Sequence, residues 1–328
     1  MKRTLAAFLT PLLLIGCNLD EFPEFNPRPI IDYQQEMRDF VRGISRYAKG
    51  IEADFIIVPQ GGIEIVSTNG RVSGSADTAY INAIDGLEQE SVFYGQGGID
   101  QPTPAAERNR LRTFLDLAKD NGDVTILVTD FAFTPSKVDD SYDLNAEAGY
   151  ISFAADHEAL DNIPEYPPQP HNENNRNILR LDQAENFLNL INPRSFSSRQ
   201  ALVDAVSDTN YDLVIIDFFF NGEAYTEEQI EQLQQKRDGG RRLLLAYVSI
   251  GQAEDDRFYW QNSWFSNPPV WLGEVVSGTS GNYIVDYWEE GWQDIIFGND
   301  DSYLFRVIDA GFDGAYLDYV DAFEFFEE

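Results

Sequence analysis

Short apolar runs alternate with amphipathic helical stretches from residue 37 to residue 317, and that alternation confines the chain to parallel β/α units. Met37, Phe40, Val41, Ile44, Tyr47, Ala48 and Ile51 form one apolar stripe with the i, i+3, i+4, i+7 spacing of a helix. Residues 55–58 follow, brief and β-branched, closed by Pro59 and two glycines, and read as a buried strand. Further strands are expected at 80–84, 124–128, 150–154, 187–191, 213–217, 243–250, 283–285 and 314–317. Between them, Leu111, Phe114, Leu115 and Ala118 carry helical spacing, and a helix is expected over 197–207. Thr226-x-x-Gln229 is a capping box that opens another helix, with Gly239-Gly240 expected to close it. Trp292, Ile295 and Ile296, then Leu304, Val307 and Ile308, complete the helical pattern. About eight strands suit a (β/α)8 TIM barrel better than an open sheet. No G-x-G-x-x-G follows a strand, which weakens a dinucleotide-binding fold. The Pro/Asn-rich loop 156–178 leaves one structural alternative, two flavodoxin-like domains flanking it.

The order of the elements is unusual, because a helix comes first and the chain stops soon after a strand. A closed ring can be cut at any loop, so helix 33–51 can serve as the helix that follows strand 314–318. A circularly permuted barrel with both termini at its bottom is therefore expected.

The N-terminus reads MKRTLAAFLTPLLLIGC. Lys2 and Arg3 precede an apolar run from Leu5 to Ile15 that is too short for a permanent span. Leu14-Ile15-Gly16-Cys17 resembles a bacterial lipobox, which implies cleavage before Cys17 and its lipidation. An ordinary secretory signal is the alternative. Residues 1–17 are expected to be a lipoprotein signal peptide, 18–32 a polar tether and 33–328 the folded domain. Asn18 rather than Asp after the cysteine implies, in a Gram-negative cell, release to the outer membrane. The expectation is an exported protein held at the membrane through Cys17.

Charge and composition narrow the chemistry. Fifty-six acidic residues against 23 basic ones give a formal charge of −33, which excludes the basic face a nucleic-acid binder needs. Such a surface suits a cationic partner, or is simply the solvated acidic coat of a salt-adapted protein. One cysteine excludes an intramolecular disulfide and a thiolate metal cluster, and two histidines disfavour a histidine metal centre. No G-x-S-x-G elbow is present. No cofactor is expected, and chemistry falls to carboxylates, tyrosines and arginines.

Acids gather where a barrel keeps its active site, at the carboxyl ends of strands. These are Asp85 and Glu90, Asp130, Asp217, Glu254, and Asp318 with Asp321. A single strand-end Asp commonly caps the next helix. Five such groups on one rim repel one another unless they bind a cation or divide into acid and base. Glycoside hydrolysis needs such a division, and a hard divalent cation is the rival use.

At this point a family resemblance becomes specific. YVSIGQAEDDR (247–257), W-L-G with NYIVDYW (282–288), and GFDGAYLDYVDAF (311–323) resemble glycoside hydrolase family 114, the endo-α-1,4-polygalactosaminidase group. DFIIVPQGGIEIV (54–66) and AYINAIDGLEQESVFYG (79–95) resemble the part that ends other members, as in a permuted subgroup. The resemblance implies Asp318 and Glu90 as catalytic carboxylates, with Asp217, Tyr247, Glu254 and Arg257 lining the cleft. Asp130 and Asp321 are added as substrate-binding candidates from their strand-end positions. Two departures stand out: Gln252 replaces a common Glu and Gly61 a common Asn. The lost charge at 252 is expected to alter substrate contacts. Phe258, Tyr259, Trp260, Trp264, Phe265 and Trp271 either stack on sugars or pack the core. A polysaccharide partner, with an amino-sugar polymer favoured by the acidic cleft, is thus implied. A non-catalytic carbohydrate-binding lipoprotein and an uptake or assembly factor on the same scaffold are the rivals.

Overall fold

The computed structural model describes residues 31–327. The expected signal peptide, the lipidation site Cys17 and the tether up to residue 30 lie outside the described residues.

Eight parallel strands carry the fold: β1 (Ile56–Pro59), β2 (Gly86–Glu90), β3 (Thr125–Phe131), β4 (Ile151–Ala155), β5 (Phe187–Leu190), β6 (Leu213–Asp217), β7 (Leu243–Ser249) and β8 (Gly314–Asp318). One parallel sheet runs β1-β8-β7-β6-β5 and a second runs β2-β3-β4. The two meet where Gln60, just past β1, bridges in parallel to Glu88 of β2, and where Asp85 N–H donates to the Ile57 carbonyl at 2.9 Å. Every residue of β7 is buried, as expected of a strand covered on both faces.

Helix α1 (Tyr33–Ile51) shows how the sequence selects these elements. Asp32 caps it, its carboxylate accepting from Gln35 N–H at 3.0 Å, and Lys49 stands in the last turn. Met37, Phe40, Val41, Ile44 and Ala48 are buried, each contributing about 1–3 kcal/mol by leaving water. Arg38 is buried too and donates to the carbonyls of Ile65 and Ser67 beyond β1, at 2.8 and 2.7 Å. At the other end Lys49 pairs with Asp85 at 2.9 Å.

Several expectations are corrected. Residues 80–84 are not a strand: Asp77 caps a single turn, Thr78–Ile81, by accepting from Tyr80 N–H at 3.0 Å. The strand begins at Gly86, where Leu87 alternates with Glu88 and Glu90 and so escapes an apolar pattern. Asp85 therefore sits at the amino end of β2, away from the mouth, and accepts from Ile57 N–H at 2.8 Å. Residues 282–285 belong to an antiparallel ribbon with Gln252–Glu254 and Leu272–Val275 rather than to a parallel β/α unit. The capping-box helix is Glu227–Leu233 and ends six residues before Gly239. The two-domain alternative fails, because Asp32–Glu328 forms one compact unit. Loop 156–178 folds back on it: Asn174 donates to Asp212 at 2.9 Å, beside the buried Lys236–Asp212 pair.

The ends of the described chain do meet, but at the mouth and not at the bottom. Tyr33 stacks on Phe326 with ring centres 5.2 Å apart, and Gln34 donates to Glu327 at 3.1 Å. Those partners lie within nine residues of the carboxyl end of β8, so α1 starts at the mouth and descends to Asp85.

Candidate active site

Three charged groups at the mouth are locked together. Asp217 ends β6, and Arg257 Nη1 donates to both of its oxygens at 2.8 and 2.9 Å. Arg257 Nε donates to Glu254, which ends the first strand of the ribbon. The guanidinium is almost wholly buried between the rings of Phe219 and Tyr247, whose centres are 5.8 and 5.9 Å away. Burial raises both carboxyls above their usual range and Arg257 holds them back. Arg257 thus gathers Asp217 and Glu254 at close range, and the exposed Asp256 lies farther off at 3.9 Å from its Nε. A guanidinium fills the role that a hard cation would have played.

Asp318 ends β8 in the same cavity of about 600 Å3, together with Asp217, Tyr247, Glu254, Arg257, Phe258 and Tyr319. No arginine or lysine pairs with it among the described residues. Tyr319 N–H donates to it at 2.8 Å, and the nearby Tyr247 hydroxyl also favours its anion. Burial, with Glu90 and Asp321 adding their charge, pushes the carboxyl up to about 7 against those two groups. Tyr319 adopts a left-handed conformation at φ +60°, which aims its N–H back at the carboxylate. Gly251 permits the turn: a Cβ there would lie 2.1 Å from the Tyr319 carbonyl oxygen.

Glu90 ends β2 and lines an adjoining cavity of about 400 Å3 with Gly61, Glu64, Glu107, Arg110, Asp321 and Glu324. Arg110 is shared between Glu64 and Glu107, repeating the arrangement around Arg257. Burial, then the charge of Asp321, pushes Glu90 up to about 7. Ser91 follows it at φ +59°, so each of the two strand-end carboxyls precedes a non-glycine residue held left-handed. That conformation costs of order 1–3 kcal/mol and gathers at functional sites.

Sequence reasoning missed Glu88. It is 0% exposed, accepts from Thr129 N–H at 3.0 Å and from the Tyr316 hydroxyl at 2.9 Å. Burial and then the charge of Glu90 raise it well above its ordinary value, beneath the mouth. Its signal was the period of two: Glu88 shares a face with Glu90, and Tyr316 with Asp318.

Asp130, expected to touch substrate, lines neither cavity. It is 0% exposed and accepts from Phe93 N–H, Tyr94 N–H, Ser141 and Asn145 at 2.9, 3.2, 2.7 and 3.0 Å. Its place one residue before the end of β3 makes it a loop anchor. Gln252 is likewise buried and accepts from Asn282 at 3.2 Å, so the departure there acts on the ribbon and not on a substrate contact. Gly61, at φ +70°, lines the second cavity beside Asp321. Of the aromatic run, Trp271 is core, packed on Trp292 at 5.2 Å, while Phe258 lines the first cavity.

Relatives were found in three distant prokaryotes. An uncharacterized protein of Methanocaldococcus jannaschii is 39% identical over 183 residues, 55% of this chain and 49% of that protein. Uncharacterized proteins of Thermotoga maritima and Deinococcus radiodurans are 44% and 36% identical over 123 and 126 residues, each 38% of this chain and 36% and 38% of theirs. The chain thus matches less than half the length of each. Residues 160–328, just over half of the chain, match the model of glycoside-hydrolase family GH114. That stretch carries Asp217, Tyr247, Glu254, Arg257 and Asp318, the whole lining described above for the first carboxyl, and the chain belongs to glycoside-hydrolase family GH114.

Proposed function

We propose that the protein is a glycoside hydrolase that cleaves an α-1,4-linked galactosamine-type polysaccharide with Asp318 and Glu90. The observation that carries this reading is that both carboxyls end parallel strands, both are pushed up to about 7, and both precede a left-handed residue. β8, β1 and β2 are consecutive neighbours, so Asp318 and Glu90 end strands about 10 Å apart across the sheet, with Glu90 two residues beyond the register of Asp318. Two carboxyls on neighbouring strand ends of one rim suit the acid and nucleophile-or-base pair of glycoside hydrolysis.

The roles divide by hydrogen bonding. The Tyr319 N–H donated to Asp318 and the nearby Tyr247 hydroxyl both favour its anion, so it acts as the nucleophile or base. No donor reaches the Glu90 carboxyl among the described residues, and Asp321 disfavours its charge, so Glu90 keeps a proton for the leaving oxygen. Arg257 fixes Asp217 and Glu254 as walls that accept sugar hydroxyl or ammonium groups. The −33 charge draws a cationic amino-sugar polymer toward the mouth. We read the eight strands as a closed (β/α)8 barrel, circularly permuted, with α1 completing the unit that β8 begins. We also read Cys17 as lipidated and the protein as exported to the cell envelope.

One observation favours the rival reading of a non-catalytic binding protein: Asp318 and Glu90 open into adjoining cavities rather than into one. Product release from a glycan panel that includes partly deacetylated poly-α-1,4-galactosamine decides between them. Release by wild type but by neither Asp318→Asn nor Glu90→Gln supports the proposal. Release by all three rejects the site, and tight binding without release rejects hydrolysis.

A further inference from the structure

Loop 255–271 has two faces. Its first residues, Asp255 to Phe258, line the first cavity. Further along, Trp260 packs on Tyr283 of the ribbon with ring centres 4.7 Å apart, Trp264 meets Trp260 edge-on at 5.1 Å, and Phe265 meets Trp260 at 5.3 Å. Trp264 is braced from below by Trp271 at 5.1 Å, which is itself buried. The stack is fixed underneath and open above, since Phe265 is 60% exposed and Val270 is 88% exposed. Core packing explains Trp271, but it leaves the outward ring of Phe265 unused.

We propose that this outer face, with Phe265 at its tip, is a second glycan-binding platform that holds the polymer outside the cleft. The proposal rests on the glycoside-hydrolase reading and deepens it. Two features choose the occupant. The platform shares its loop with the cavity wall, since Asp255 to Phe258 line the cavity and Phe265 follows seven residues on. The acids of the same loop and ribbon, Asp255, Asp256 and Glu274, on a molecule of formal charge −33, repel an anionic bilayer and a second copy alike. The same charges attract an amino-sugar polymer, whose C–H faces and ammonium groups both favour an aromatic ring.

The test compares the full-chain wild type with Phe265→Ala and with the double variant Phe265→Ala/Val270→Ser, all at exposed positions. Substrates are partly deacetylated poly-α-1,4-galactosamine and a trisaccharide of the same linkage. KM for the polymer is expected to rise roughly three- to tenfold, with kcat and all trisaccharide constants unchanged. An equal rise for both lengths, or no change for either, overturns the platform. Migration in native gels containing the polymer is read in parallel and needs no turnover. Stronger retardation of wild type than of the variants supports the platform even where no bond is cut, and then only the hydrolase reading falls. Equal migration overturns the platform even while hydrolysis proceeds.

Discussion

Arg257 Nη1 lies 2.8 and 2.9 Å from the two oxygens of Asp217, while its Nε is committed to Glu254. One guanidinium therefore holds two strand-end acids from different elements, and a lysine, a single point charge without the planar fork, does not reproduce it. Arg257→Lys is expected to lower kcat/KM about 100-fold, because both walls of the cavity lose their fixed position. Arg257→Met leaves two buried carboxylates unpaired and costs about 3–5 kcal/mol of stability, read by urea unfolding. Wild-type kcat/KM in the lysine variant contradicts the role.

Tyr247 is the next test, because it does something other than bind sugar. Its hydroxyl, near Asp318, favours the anion against burial, which pushes that carboxyl up to about 7. Removing the hydroxyl in Tyr247→Phe raises the Asp318 pKa further. If Asp318 works ionised, the acidic limb of the kcat/KM profile moves to higher pH, by about one unit for a lost hydrogen bond of ordinary strength. A limb that stays in place, or moves to lower pH, assigns that limb to another group.

Asp318→Asn and Glu90→Gln should each abolish hydrolysis and yet stabilise the fold. Both carboxyls are raised, so the native state keeps protons that the unfolded chain releases between about pH 4 and 7, and stability falls as pH rises through that window. The amides remove that fall. At pH 8 each variant is expected to exceed wild type by about 1–3 kcal/mol, with the gap closing near pH 4. Thermal unfolding at both pH values checks it. A gap that is constant with pH removes the titration of these groups as its cause.

The fold was legible wherever a strand is buried on both faces. Residues 213–216 and 243–248 are unbroken apolar runs, and they are found within Leu213–Asp217 and Leu243–Ser249. β2 was hidden because an inward-facing acid reads as surface: Glu88 and Glu90 occupy the positions where a core strand shows valine. The functional use of the strand erased its own signal. The ribbon strand at 282–285 was mistaken for a parallel unit because a short aromatic run does not declare its partner. In the site, Asp217, Glu254, Arg257 and Asp318 were reachable from strand ends and motif. Their division of labour was not, since Arg257 and Asp217 are forty residues apart and pair only through the fold.

Asp130 carries the sharpest separation between a structural and a functional acid. It sits near a strand tip like Asp217 and Asp318, but four donors converge on it from the 93–94 backbone and from Ser141 and Asn145. Those donors tie the loop after β2, which begins beside Glu90, to the helix Pro135–Ala148 that follows β3. Asp130→Ala strands all four in a buried site, and a loss of about 3–5 kcal/mol is expected. Asp130→Asn keeps one acceptor oxygen and is expected to cost about 1–3 kcal/mol. In both variants KM of the folded fraction should stay at the wild-type value, because nothing in either cavity is removed. Denaturant unfolding and steady-state kinetics on the same samples give the answer. A raised KM with unchanged stability would return Asp130 to the substrate, and it would require the loop around Phe93 and Tyr94 to open when sugar binds.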